Sequence, residues 1–242
     1  MSNIWTIAKR EYKLYFNTPM AYMVAFLYFL VLGLIFHTSL VQSLFQQYVP
    51  GVEIVVGPMV TLILFVTPAI TMRLLAGEQS SGTIELILTA PVRDWELVIG
   101  KWLAGFLFMF TLLAVTWVYP IILNNMVDPG IEQGTVITGY LGLLLMSASL
   151  IAIGVAVSSL FKNQNAAFFA TLGVFLLFWL IGIPAEASGA SGGVLSYLDI
   201  RGHFYSNLFY GVIDLSDIVY YLSLTILALF LGSVSIETRR WR

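Results

Sequence analysis

Long apolar runs, separated by short polar stretches, dominate the chain from residue 20 onward. Six of these runs are close to the ~20 apolar residues that a helix needs to cross the hydrocarbon core of a bilayer. None of the runs contains Asp, Glu, Lys or Arg. The pattern therefore predicts an all-α integral membrane protein with six transmembrane helices. The predicted spans are Met20–Val41, Ile54–Met72, Trp102–Leu123, Val136–Phe161, Ala166–Ala185 and Ile218–Ile236.

Basic residues divide unequally between the segments that join these spans. If the N-terminus is cytoplasmic, ten of the 11 Lys and Arg residues fall on the cytoplasmic side, and only Arg201 falls outside. Cytoplasmic loops of membrane proteins carry an excess of Lys and Arg, and this excess sets the orientation. The asymmetry therefore predicts that both termini lie in the cytoplasm.

Residues 3–17 precede the first span and have the pattern of an amphipathic helix. Apolar residues recur at spacings of three and four on one face, and polar residues occupy another face. We expect this helix to lie along the cytoplasmic surface of the membrane, with its cations near anionic headgroups. Pro19 then marks the turn into the first span. The apolar face holds Trp5, Ala8, Tyr12 and Tyr15, and the polar face holds Asn3, Thr6, Arg10, Lys13 and Asn17.

The cytoplasmic segment 77–100 contains a short apolar stretch between polar ends. Ser81 or Gly82 can begin a helix here, because Glu85 then lies in the first turn, where the helix dipole favours a carboxylate. Pro91 ends the helix. An exposed apolar edge results, formed by Ile84, Ile87 and Leu88. The residues themselves leave two interpretations open, a helix lying on lipid and a helix that docks into a partner protein.

The segment 186–217, before the last predicted span, begins with a run rich in Gly and Ser and continues with aromatic and apolar residues. Phe204, Leu208 and Val212 share one helical face. Aromatic residues of this kind lie at the membrane interface or in a partly inserted hairpin packed against protein. We therefore expect a short re-entrant or interfacial segment on the outer side.

Candidate chemistry in the polar segments is sparse. Gly100-Lys101 resembles the end of a nucleotide-binding P-loop, but Trp95 and Trp102 stand where that motif requires Gly and Ser or Thr. We therefore interpret Lys101 as a cytoplasmic anchor of the third span. Asp94 and Glu96 could form a pair of carboxylates, but on a cytoplasmic loop beside Arg93 and Lys101 we interpret them as a solvated charge cluster.

Composition narrows the function classes further. The chain has no Cys and two His, so the ligands of a typical metal site are missing. A net charge of −2 gives no support to nucleic-acid binding. Ion-coupled carriers usually need ionisable residues at membrane depth, and the predicted spans offer none. We therefore expect this chain to hold neither a catalytic residue nor a cofactor. If the protein moves a substrate across the membrane, the energy must come from outside this chain.

Three segments carry a resemblance to a known family. Residues 77–92 (GEQSSGTIELILTAPV) resemble the conserved cytoplasmic loop of ABC-2 type transporter permeases. Residues 7–22 (IAKREYKLYFNTPMAY) are similar to the amphipathic gate helix of that family where it runs into the first span. Residues 207–217 (NLFYGVIDLSD) and the basic C-terminal tail resemble the GldF-like branch of gliding-motility permeases. The resemblance extends over the whole chain.

The resemblance implies one ABC-2 type transmembrane domain over residues 1–242, in a bacterial inner membrane. It implies pairing with a second permease copy or a paralogue, and two separate ABC ATPase subunits that hold the ATP and Mg. It also implies an auxiliary membrane protein with a large outer domain as a further partner. The role would be export, or the handling of a lipid or polymer. The alternative is a non-transporting membrane scaffold, in which an ABC-type complex regulates a cell-envelope machine.

The resemblance also assigns residues to three parts of the chain. The ATPase-coupling residues are Glu78, Gly82, Thr83, Ile84, Glu85, Ile87, Leu88 and Pro91. The gate-helix residues are Trp5, Arg10, Glu11, Tyr12 and Pro19, and the outer-segment residues are Phe204, Tyr205, Leu208 and Asp214.

Overall fold

The computed structural model of the chain describes residues 2–83, 92–182 and 197–240. Every regular element in these ranges is a helix, which confirms the predicted all-α class for the described part of the chain. The helices are α1 (Ser2–Asn17), α2 (Pro19–Gln46), α3 (Glu53–Thr71), α4 (Ala76–Ser80), α5 (Asp94–Val115), α6 (Val118–Met126), α7 (Gln133–Leu160), α8 (Gln164–Leu180), α9 (Ile200–Ser206), a 3₁₀ turn (Leu208–Tyr210) and α10 (Leu215–Arg240).

Five stretches of the described residues are long and apolar enough to cross a membrane. Helix α8 is also apolar but has 17 residues. The last part of the predicted span Ala166–Ala185 lies outside the described residues, so this fifth span in chain order stays a prediction, as does the orientation. The five stretches are Pro19–Gln46, Glu53–Ser80, Asp94–Met126, Gln133–Leu160 and Leu215–Thr238.

Helix α7 lies at the centre of the bundle and packs against α3, α5, α8 and α10. Glycines let the helix backbones approach closely at these contacts. A Cβ added to Gly154 of α7 would overlap Thr71 of α3, and one added to Gly105 of α5 would lie 3.1 Å from Ile151 Cγ2. The close packing of α3 and α5 on α7 holds together the end of the bundle at which the polar segment 77–100 begins and ends.

Helix α1 lies against the first half of α5. The two helices are closest at Gly100, where an added Cβ would lie 2.8 Å from Ile7 Cγ2 and 3.2 Å from the carbonyl oxygen of Ile4. Ala8 is fully buried in this contact, whereas Trp5 is 57% exposed. The sequence pattern places Trp5 on one face with Ala8, Tyr12 and Tyr15. In the structure, the face of α1 that packs on α5 contains Ala8 but not Trp5.

Helix α9 and the 3₁₀ turn pack on α7 at the other end of the bundle. Phe204 and Leu208 are fully buried, and both meet Gly142, where an added Cβ would lie 2.7 Å from Phe204 Cε2. The Tyr205 hydroxyl donates a hydrogen bond of 3.4 Å to the Gly57 carbonyl near the start of α3. The segment before α10 is thus a short helical element seated on the bundle.

Candidate functional site

Four charged side chains from three helices meet at the end of the bundle that carries α1 and α4. The ammonium Nζ of Lys101 lies 2.8 Å from Glu78 Oε1 and 3.6 Å from Glu11 Oε1. The Nη2 atom of Arg10 lies 2.7 Å from Glu11 Oε1 and 3.5 Å from Glu78 Oε1. Each cation therefore contacts both carboxylates, and the formal charges balance. We refer to Arg10, Glu11, Glu78 and Lys101 as the charge cluster.

The charge cluster is buried on its α5 side. The Lys101 side chain is 1% exposed and the Arg10 side chain 57%. Desolvating an ammonium costs several kcal/mol, and only close opposite charges offset this cost. Lys101 can therefore be buried here because Glu11 and Glu78 face it. This corrects the interpretation of Lys101 as a simple anchor of the third span.

The carboxylate of Glu78 is only half engaged. Its Oε2 atom is buried and has no hydrogen-bond partner among the described residues. The Lys101 ammonium lies 2.8 Å from Oε1 and forms an ion pair with it. Removing one charge of the cluster would therefore leave its partners buried and unbalanced.

Tyrosines hold α1 in position over the charge cluster. The Tyr15 hydroxyl donates a hydrogen bond of 3.0 Å to the Ile70 carbonyl of α3, and its ring stacks on Phe108 of α5 with centroids 4.8 Å apart. The Tyr12 hydroxyl shares a hydrogen bond of 2.8 Å with the Thr111 hydroxyl of α5. Glu11 lies on the same packed face, and these contacts direct its carboxylate towards Lys101.

Helix α4 is fixed to the end of α7. The backbone N–H of Ala76 donates to the Ser158 hydroxyl over 3.0 Å, and the Gln79 amide donates to the Ser159 carbonyl over 2.9 Å. After α4 the chain turns at Gly82, whose φ of +72° is in the left-handed region that favours glycine. These bonds hold Glu78 in place at the point where the segment 77–100 begins.

The returning end of the same segment is also joined to α1. Glu96 Oε2 accepts a hydrogen bond of 3.0 Å from the Arg93 backbone N–H, which caps α5. The same atom accepts a bond of 3.2 Å from the side-chain amide of Asn3 in α1. Glu96 is 8% exposed, so its interpretation as part of a solvated charge cluster is wrong. Both ends of the segment 77–100 therefore contact α1.

A cleft of about 360 Å³ opens between α1 and α4 beside the charge cluster. Arg10 and Glu78 line it together with Arg73 and Thr83. The Arg73 guanidinium forms no ion pair within the described part of the chain, and its nearest polar contact is the Met20 sulfur at 3.5 Å. A side chain that entered this cleft would meet Arg10, the exposed member of the cluster.

The residues that the resemblance assigned to ATPase coupling and to the gate helix lie in different parts of the structure. Glu78 comes together with Arg10 and Glu11, and Tyr12 lies beside them on α1. Gly82 and Thr83 end the described part of the loop, while Pro19 begins α2. The remaining coupling residues Ile84, Glu85, Ile87, Leu88 and Pro91 lie outside the described residues.

The outer-segment residues lie at the opposite end of the bundle. Phe204, Tyr205 and Leu208 pack against α7 and α3 as described above, and burial raises the pKa of the Tyr205 hydroxyl. Asp214 accepts a hydrogen bond of 2.9 Å from the Ser216 backbone N–H just before α10. That bond lowers the pKa of the Asp214 carboxyl. Asp214 therefore stabilises the start of α10, and none of these four residues contacts the charge cluster.

The described residues hold no group of three or more His, Cys, Asp and Glu side chains that could bind a metal ion. The apolar helices define a multi-pass membrane protein. A family model described as ABC-2 family transporter protein matches residues 12–195. The match covers most of the chain, which therefore belongs to the ABC-2 family, whose members are membrane subunits of ABC transporters. A search of curated proteins found no significant match to the chain.

The family match begins inside α1 and ends before α9. It includes Glu78 and Lys101 of the charge cluster, and it excludes Arg10 and Glu11. The contact between α1 and the loop therefore joins the matched region to a part of the chain that precedes it.

Proposed function

We propose that this chain is the permease subunit of an ATP-driven exporter or of a lipid- or polymer-handling complex. In this proposal the segment 77–100 couples the bundle to separate ATPase subunits. Membership of the ABC-2 family supports the general role. The observation that supports coupling is that both ends of the segment contact α1, through Glu78 in the charge cluster and through Glu96 with Asn3.

The proposed mechanism begins with ATP and Mg on two ATPase subunits. Closure of the ATPase dimer displaces the segment 77–100. Because Lys101 and Glu78 are paired with residues of α1, the displacement is passed to α1 and from there to the start of α2. Two copies of the bundle, or one copy and a paralogue, then open a path between them in alternation.

The proposed setting is a bacterial inner membrane with both chain termini in the cytoplasm. The excess of Lys and Arg on one side of the predicted spans supports this orientation. The proposed partners are the ATPase subunits, the second permease and an auxiliary membrane protein with a large outer domain. Nucleic acid is not among them, because the net charge is −2.

The substitution Ile87→Asp tests whether the segment docks into an ATPase. Fully burying an apolar side chain of this size stabilises by about 1.5–3 kcal/mol, which corresponds to about 10- to 140-fold in affinity. A charge at this position should therefore reduce the ATPase that copurifies with the permease by that order. The matched control is Thr89→Asp, which by helical periodicity falls on the opposite face of the predicted helix.

Two outcomes would contradict the proposed function. If the Ile87→Asp protein retains its ATPase as fully as the Thr89→Asp protein does, the segment is not the docking element. ATP hydrolysis in proteoliposomes should also continue when a proton ionophore is added. If the ionophore abolishes this activity while ATP is present, the protein is a secondary carrier.

A further inference from the structure

Helices α8 and α10 both pack on α7, and a groove lies open between them. The groove has a volume of about 670 Å³. Small side chains form its floor, including Ala156 of α7 and Ala228 of α10, and its sides carry Phe178 of α8 with Leu227 and Leu231 of α10. Leu227 and Leu231 are 55% and 54% exposed. The groove is therefore open on the side that faces away from the bundle, and its lining is mainly apolar.

The position of the groove along the helices indicates what surrounds it. Its lining residues extend along α10 from Leu224 to Thr238, a rise of about 21 Å at 1.5 Å per residue. That length exceeds half of the ~30 Å hydrocarbon core of a bilayer. Both α7 and α10 are among the helices that are long and apolar enough to cross this core. In the membrane, the medium at the open side of the groove is therefore hydrocarbon rather than water.

The groove is too narrow to receive a helix of a second copy. A volume of about 670 Å³ over a length of about 21 Å corresponds to a mean cross-section of about 30 Å². An α-helix with its side chains is about 10–12 Å wide, which corresponds to about 80 Å² or more. An unbranched hydrocarbon chain is only as wide as an unbranched side chain such as that of Met. The shape of the groove therefore favours a single acyl chain over a transmembrane helix.

One end of the groove is basic. Thr238 lines this end, and Arg239 and Arg240 follow it as the last residues of α10. Lys162 is exposed and comes two residues after Leu160, which also lines the groove. This is the end of the bundle that carries the charge cluster, because the last turn of α7 bonds to α4 there. Basic residues next to a span attract the anionic headgroups of lipids.

We propose that the groove between α8 and α10 binds one acyl chain of an anionic phospholipid, whose headgroup lies beside Lys162 and the end of α10. Because the bilayer is as apolar as the groove, the chain is held by close packing, and the charges supply the preference for an anionic headgroup. The exposed Glu237 does not line the groove, and the three basic residues outweigh it. This inference goes beyond the proposed function, because the groove holds its lipid whether or not the protein transports one.

Filling the groove tests the site of the acyl chain. Val157 lines the groove, so Val157→Phe places a larger side chain in it. Val115→Phe is the matched control on α5, at a residue that is 51% exposed and does not line the groove. Each protein is reconstituted in vesicles of equal parts phosphatidylcholine and phosphatidylglycerol, and native mass spectrometry then counts the lipids that it retains.

The parent protein and the Val115→Phe protein should retain phosphatidylglycerol, whereas the Val157→Phe protein should lose it. Equal retention by the two variants would overturn the proposal, as would a parent protein that retains no lipid.

Lys162→Gln tests the headgroup without disturbing the core, because Lys162 is exposed. Loss of one cation beside an anionic headgroup should lower the ratio of retained phosphatidylglycerol to phosphatidylcholine about fivefold. The control is Lys13→Gln, at an exposed residue of α1, which should leave the ratio unchanged. An unchanged ratio in the Lys162→Gln protein would overturn the proposed headgroup position, and so would an equal fall in both variants.

A cysteine in the groove tests for a second copy of the chain as the occupant. Leu227→Cys introduces the only cysteine of the protein, at an exposed residue of the groove. With a lipid in the groove, the variant should stay free of disulfide-linked dimers when the same vesicles are oxidised. Efficient formation of such dimers would show that a second copy covers the groove.

Discussion

Replacing Lys101 with Met tests how strongly the charge cluster holds the junction of α1, α4 and α5. Met is unbranched and of similar length, so it should fill the same buried space while the positive charge is lost. Breaking a buried ion pair by removing one partner typically costs about 3–5 kcal/mol. Here Arg10 still contacts both carboxylates. We therefore expect a loss near the lower limit, about 3 kcal/mol in the free energy of unfolding.

The matched control is Arg10→Met, which removes the same charge from the exposed side of the same cluster. With a side chain that is 57% exposed, Arg10 should contribute less than about 1 kcal/mol. A double variant with Lys101→Met and Glu78→Gln should recover part of the lost stability, since the unbalanced carboxylate is then removed. The assay is denaturant unfolding in detergent micelles, followed by Trp fluorescence. If Lys101→Met is no less stable than Arg10→Met, the buried ion pairs do not hold the junction.

Three further predictions concern packing, orientation and the returning end of the loop. Gly100→Val should separate α1 from α5 and cost about 1–3 kcal/mol in stability, whereas Gly173→Val, where an added Cβ meets no other atom within 4 Å, should melt with the parent protein. Glu96→Gln should weaken the charge-assisted hydrogen bond that the Asn3 amide donates, and should lower the melting temperature of the protein. Single cysteines at 79, 94, 163 and 240 should react with a membrane-impermeant thiol reagent from the cytoplasmic side, and those at 48, 130 and 190 from the outside. Reaction of position 190 from the cytoplasmic side alone would refute the orientation.

The apolar runs predicted the long helices well, because burial in lipid or protein requires continuous apolar sequence. The third predicted span shows where that reasoning fails. It was expected to begin at Trp102, after the last charge, but α5 begins at Asp94 and carries Lys101 inside it. A rule that excludes charged residues from spans therefore also excludes Lys101, whose charge is buried and paired with Glu78.

The sequence contained a signal that Lys101 is buried. It lies on one helical stripe with Val98, Ala104 and Phe108, all of which are buried. Glu11 has the same position on α1, between Ala8 and Tyr15. A charge on the buried stripe of a helix indicates an opposite charge on a neighbouring stripe, but single-sequence periodicity cannot say which helices are neighbours. The partners of Lys101 therefore needed the tertiary structure.

The end of α5 also has a signal in the sequence, which is Pro120. The predicted span Trp102–Leu123 is divided in the structure, since α5 ends at Val115 and α6 begins at Val118. Pro120 has no N–H to donate to the carbonyl four residues earlier, that of Thr116. The Thr116 carbonyl instead accepts a hydrogen bond of 3.0 Å from the Tyr119 N–H. Proline alone does not locate such a break, because Pro58 and Pro68 lie inside the continuous helix α3.

The coupling of the segment 77–100 to α1 is tested most directly by the ATP hydrolysis of a purified complex that carries Lys101→Met. The rate is measured in proteoliposomes and normalised to the ATPase that copurifies. We expect the ATPase to be retained in parental amounts, because the docking side chains are unchanged. We also expect the stimulated rate to fall well below the parental rate, while Arg10→Met has a smaller effect. A Lys101→Met complex that hydrolyses ATP at the parental rate would contradict the claim that the charge cluster transmits motion.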